Sequence, residues 1–293
     1  MRGPARGGHR WNAGPGRQAS FAPGERLDER LQPLLDRVHS LFEPPDPVLQ
    51  GKGWSFVHRL HDRKRSGKGS RGTSNGNGLP PPSTSGYPAR MPRAPGPHRL
   101  VGAALVVEGC LIVAALLGGW LLRVRPLAMW QFGWVALATG VVATAPLLLG
   151  LVWSVRTRFE PLARLTRAVE DKVVPLFEGC TVAHLAAIAL LAGIGEEMLF
   201  RGLTQTAAAR PLGPWGGLAA ASALFGLAHP ITPLYALLAG LIGAYLGGLL
   251  MVTENLVVPT VVHALYDFVA LLYVASLARR RSARAKTDQE MIT

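Results

Sequence analysis

The chain has 293 residues, 49% of them hydrophobic, and a formal charge of +13. That charge is confined to the ends. Residues 1–99 hold 17 Lys and Arg against 7 Asp and Glu, residues 279–293 hold five against two, and 100–278 hold nine of each. The usual reading of a basic protein as a nucleic-acid binder is therefore weak, and no zinc-finger or RNP pattern supports it. Two cysteines, Cys110 and Cys180, do not make a disulfide framework. Both read as small buried hydrophobes.

Residues 1–98 are rich in Gly, Pro, Arg and Ser and poor in apolar residues, so they are expected to stay disordered. A second reading starts translation at Met91, just before the first apolar helix. One island, 26–43, places Leu27, Leu31, Leu34, Leu35, Val38, Leu41 and Phe42 at helical spacing, with Pro33 interrupting. It reads as a short amphipathic helix or as a chance pattern.

The remainder is expected to be an all-α, polytopic membrane protein of about six transmembrane helices. A span needs about 20 mostly apolar residues. Two fall within 99–155: 100–122, which contains Glu108, and 129–155, with Trp130, Trp134 and Trp153 near its ends as interface anchors. An amphipathic interfacial segment is expected at 156–179, its Leu162, Leu165, Val169, Val173 and Val174 set among Arg156, Arg158, Arg164, Arg167 and Lys172. The core, 180–277, holds spans at about 181–200, 215–229, 234–252 and 256–277. A basic tail, 278–293, follows and is expected to be cytoplasmic. Gly243 and Gly247 form a G-x-x-x-G, read as a helix-packing face.

Charges within spans are costly, at about 2.5–3.5 kcal/mol each on insertion scales, and mark function. Near or within the last four spans stand Glu196, Glu197, Arg201, His229, Glu254, Asn255, His263 and Asp267, with His184 at an interface. Glu197 and Arg201 are four apart and share a helix face. So do Phe225 and His229, and His263 and Asp267. Glu196 points about 100° from Glu197, so one carboxylate can pair with Arg201 and the other can act as general base on water. His229 can share that water. His263 and Asp267 can orient each other or hold a developing oxyanion.

These residues carry a resemblance. "EEMLFRG" (196–202) resembles the EExxxR motif of the CAAX-protease and bacteriocin-processing (CPBP, or Abi) family of intramembrane proteases. "FGLAH" (225–229) is similar to its FxxxH motif, and "HALYD" (263–267) to its third motif. The resemblance covers about 178–275. It implies a CAAX-protease-like helical core and a CAAX-type intramembrane endopeptidase of glutamate type. The substrate it implies is a membrane-embedded or lipidated protein or peptide, with the bilayer as partner and no nucleic acid. It implies Glu196 as general base with His229, His263 and Asp267 as the oxyanion pair, and Glu197, Arg201 and Phe225 as support. Many members have Asn where this chain has Asp267, and an ionised Asp is a poor oxyanion donor. No cofactor is expected; Zn2+, held by His229, His263 and Glu196, is the alternative, although H-E-x-x-H is absent. The location expected is multi-pass in the plasma membrane of a bacterium. A non-catalytic membrane partner, such as an immunity or scaffold protein, is the competing function, and the chain shows none of the internal repeats of a transporter.

Overall fold

The computed structural model describes residues 97–291 and, within 32–42, residues 32, 33, 35–38 and 40–42. Among these every regular element is helical and no strand is present. Helix α1 runs Pro97–Leu122, α2 Trp134–Ala143, α3 Ala145–Arg156 and α4 Glu160–Lys172. A 3-10 turn at Val174–Phe177 leads to α5, Val182–Glu197. A π-helix at Met198–Gln205 joins α5 to α6, Thr206–Leu227. Helices α7, Pro233–Thr253, and α8, Val257–Glu290, complete the order.

Among the described residues five helical stretches are long and apolar enough to cross a membrane. One of these, 182–227, is 46 residues long, more than twice what one crossing needs, and covers both spans expected there. It is broken at Gly213, whose φ of 72° and ψ of 171° are non-helical, between Pro211 and Pro214. Glycine adopts that backbone without a steric penalty, and proline cannot continue the preceding helix. Two helices therefore meet at a kink here, between the two spans expected from the sequence.

The outward faces are apolar, as a bilayer solvent requires. Leu117, Trp120 and Leu121 on α1 and Val135, Val142 and Trp153 on α2 and α3 are exposed on the protein surface. Cys110 shares the outward face of α1. It is thus exposed, contrary to the expectation, because its helix position faces away from the core. Cys180 is buried as expected, and burial pushes its thiol pKa up.

The amphipathic segment forms α4, which buries Leu162 and Leu165 and leaves Glu160 outside to meet Arg164 and Arg167 at 3.3 and 3.0 Å. His184 closes the N-terminus of α5: Thr181 Oγ1 accepts from its backbone N–H and its ring Nδ1 accepts from the Thr181 N–H. This satisfies donors that a helix start leaves open. The described residues of the island are helical. Leu35, Val38 and Phe42 are buried against Val182, Leu185, Leu272 and Ala275, and the Phe42 ring lies 4.6 Å from Tyr273. Leu41 faces outward; Leu27, Leu31 and Leu34, and the rest of 1–96, lie outside the described residues.

Helix α5 sits centrally, packed on α1 and α8. Its approach to α8 is close because Gly193 lacks a side chain: a Cβ there would lie 2.9 Å from Ala264 Cβ and 3.1 Å from the Thr260 carbonyl. One turn further along, this contact sets Glu197 beside His263.

Candidate active site

The three sequence motifs converge inside the helical bundle. Glu197 and Arg201 are 0% and 1% exposed, and Arg201 Nη1 approaches Glu197 Oε1 to 2.9 Å. This is an ion pair within one helical segment, although Nη1 is not aligned as a hydrogen-bond donor. The π-helix that begins at Met198 carries Arg201, and such wide turns are frequent at functional sites. Arg201 Nη2 donates to the Gly243 carbonyl at 3.1 Å, and its guanidinium carbon lies 4.3 Å from the Phe225 ring centre. That distance is within cation–π range.

His263 joins the same carboxylate. Its Nδ1 is 2.8 Å from Glu197 Oε1, and its Nε2 is 3.5 Å from Asp267 Oδ2. Both ring nitrogens therefore face acceptors, a pattern satisfied when both carry hydrogen. The expectation paired Glu197 with Arg201 alone. The structure shows Glu197 bridging Arg201 and His263, and the 66-residue separation from His263 explains why helical spacing did not reveal it.

Glu196 takes the other direction. Its Oε2 lies 3.8 Å from His229 Nε2. His229 Nδ1 sits 2.7 Å from the Phe225 carbonyl oxygen. A carbonyl only accepts, so Nδ1 carries a hydrogen and Nε2 is the nitrogen turned toward Glu196. At 3.8 Å the two atoms are too far apart for a direct hydrogen bond.

Phe225 is the hub of the constellation. Its ring centre lies 4.7 Å from His229, 5.8 Å from His263 and 5.1 Å from Phe200. The G-x-x-x-G on α7 serves this site as well as helix packing. Gly243 offers its carbonyl to Arg201, and Gly247 offers its own to Gln205 Nε2 at 3.1 Å. A Cβ at Gly247 would lie 2.5 Å from Gln205 Oε1.

Three of the other polar residues go elsewhere. Asn255 clamps the loop before α2, its side chain bonding both the N–H and the C=O of Gln131. Glu254 ends α7 in a left-handed conformation. His184 caps α5, as described above. In contrast, Glu108 comes in from α1. It is 8% exposed, and the titratable groups around it include Glu196, His263, Asp267 and His229. Sequence reading flagged it as a charge within a span, but nothing in its spacing linked it to the other motifs.

A cavity of about 580 Å³ opens beside the histidines. His229, Tyr235, His263 and Asp267 supply its polar wall, and Leu165, Leu238, Ile242 and Leu271 contribute to the apolar remainder.

Among the described residues no three His, Cys, Asp or Glu side chains are grouped as metal ligands. His263 directs both nitrogens at carboxylates, which leaves no lone pair to join His229 and Glu196.

Residues 179–269 match the family model described as Rce1-like, type II CAAX prenyl endopeptidase. The matched stretch contains all three motifs and agrees with the CPBP resemblance drawn from them. Its long apolar helices are those of an integral, multi-pass membrane protein. No curated protein and no solved structure matches the chain.

Proposed function

We propose that this site hydrolyses a peptide bond of a membrane-associated substrate with a water activated by Glu196 and His229. The observation that carries the reading is the 3.8 Å approach of Glu196 Oε2 to His229 Nε2, with His229 Nδ1 already committed to the Phe225 carbonyl. A carboxylate and an imidazole lone pair aimed at each other are poised to accept the two hydrogens of one water. Glu196 takes a proton from that water as the oxygen attacks the carbonyl carbon of the substrate. Negative charge then develops on the carbonyl oxygen. His263 Nε2–H, only 3.5 Å from Asp267 and beside the cavity, is the donor available to it. Glu196 returns the proton to the amine nitrogen as the C–N bond breaks.

The other residues hold this pair in place. Glu197 fixes the His263 ring, Arg201 balances Glu197, and Phe225 packs against Arg201 and both histidines. Asp267 fits this scheme as the group that orients His263, not as an oxyanion donor. The apolar cavity suits a membrane-embedded segment or the lipid tail of a modified peptide. No metal takes part in this reading.

The test is cleavage of a panel of membrane peptides, including a prenylated CAAX peptide, by purified protein in detergent. Wild type, Glu196→Ala and His229→Ala are compared with and without a zinc chelator. Cleavage that is lost in both variants and untouched by chelator is the expected result. Loss with chelator, restored by zinc, moves the mechanism to metal. A cellular effect that survives both substitutions, with no cleavage by wild type, makes the chain a non-catalytic membrane partner.

A further inference from the structure

The first span carries one acid, Glu108, outside the stretch that matches the family model. Its neighbours along the helix, Val106 and Val107, face outward, whereas Glu108 turns in and is 8% exposed. It lands on α5 at Gly195. A Cβ on Gly195 would lie 2.8 Å from Glu108 Oε2 and 3.1 Å from the Glu108 carbonyl, so α1 and α5 touch backbone to backbone there. The next residue on α5 is Glu196, the foremost charged neighbour of Glu108.

Two facts about these carboxyls need a common explanation. Glu108 Oε2 is buried without a hydrogen-bond partner among the described residues, and so is Glu196 Oε2. An unpaired carboxylate in a dry bundle costs several kcal/mol, and two side by side do not both stay charged. One hydrogen between them satisfies both acceptors together.

We propose that Glu108 is a positioning residue for Glu196, its carboxyl donating an O–H···O hydrogen bond that aims Glu196 at the water shared with His229. This rests on the reading of Glu196 as the water-activating carboxylate. No bond to substrate forms or breaks at Glu108; the proton it holds stays with the pair through the reaction.

Two variants separate this role from packing. E108Q keeps the shape and supplies an N–H donor to Glu196. E108L keeps the volume and supplies none. In the full-length protein E108L lowers kcat by about 10²-fold, the scale of a general-base contribution, with KM nearly unchanged. E108Q recovers most of the wild-type kcat. Wild-type turnover in E108L, a loss confined to KM, or E108Q no better than E108L overturns the proposal. Infrared spectroscopy reads the same hydrogen bond without any substrate. Wild type shows a carboxylic-acid C=O stretch that E108Q lacks and that Glu196→Gln shifts; absence of that band overturns the proposal even if E108L does not fold. A band that behaves this way in a protein that cleaves nothing upholds the pairing, and it is then the hydrolytic reading that fails.

Discussion

Replacing Arg201 by Met tests whether the buried charges are balanced as the geometry implies. Arg201 is the guanidinium that faces Glu197, and neither side chain is more than 1% exposed. Removing one member of a buried ion pair costs about 3–5 kcal/mol, because the other charge is left in a dry site. That figure already contains the lost bond to the Gly243 carbonyl and the lost contact with the Phe225 ring. His263 stays 2.8 Å from the same carboxylate oxygen and softens the loss, so about 3 kcal/mol is expected. Adding Glu197→Gln to Arg201→Met removes the orphan charge and recovers most of the stability, as replacement of buried pairs by neutral groups does elsewhere. The assay is unfolding in mixed micelles followed by tryptophan fluorescence; the chain has seven tryptophans to report it. Arg201→Met within about 0.5 kcal/mol of wild type, the range of inconsequential surface changes, refutes the reasoning. So does a double variant no more stable than the single one.

Gly247→Ala puts a methyl 2.5 Å from Gln205 Oε1 and Leu218 Cδ1 and is expected to destabilise by about 1–3 kcal/mol, whereas Gly248→Ala, with nothing within 4 Å, is neutral in the same unfolding assay. Phe225→Leu keeps an apolar side chain but removes the ring against Arg201 and both histidines; kcat for the cleaved peptide should fall by roughly tenfold while the protein still folds, a loss on the scale of about 1.4 kcal/mol of transition-state stabilisation. Glu170, on the interfacial helix, has its pKa raised by burial, against the opposing pull of Arg281. Its stabilising protonated form is lost as pH rises from the ordinary glutamate range through the raised value, so stability falls across that window. Glu170→Gln should flatten that part of the melting-temperature profile, and an unchanged profile would show that another group governs it. Cys180, buried and with its thiol pKa raised by that burial, should resist alkylation by a water-soluble maleimide until the protein is unfolded; rapid labelling of the native protein would contradict its placement.

Much of the site could be read from local periodicity. Pairs four apart share a helix face wherever the helix is real, so Glu197 with Arg201, Phe225 with His229 and His263 with Asp267 were visible without coordinates. The apolar runs located the spans, and the break between the third and fourth falls at the kink at Gly213. What local spacing cannot carry is contact across the bundle. The bond from His263 to Glu197 and the carbonyls that Gly243 and Gly247 offer to Arg201 and Gln205 depend on how the helices are seated. The G-x-x-x-G correctly announced a close approach, yet its use as a pair of acceptors had no signature of its own. Glu108 is the clearest case: its charge was conspicuous, but its relation to Glu196 exists only because Gly195 lets two backbones meet.

The pairing of Glu197 with Arg201 also bears on how the protein is made. Spans enter the bilayer as helices before they assemble with one another, and each charge carried in alone adds a cost of about 2.5–3.5 kcal/mol. Acid and base lie four residues apart on a single continuous helical stretch, so they can neutralise each other at the moment of insertion, with no help from a later segment. His263 and the Gly243 carbonyl arrive afterwards, on α8 and α7, and find the carboxylate and guanidinium already facing each other. The chain thus carries its most polar element into the membrane as a self-balanced cartridge, and the geometry of the site is completed only when the last helix docks.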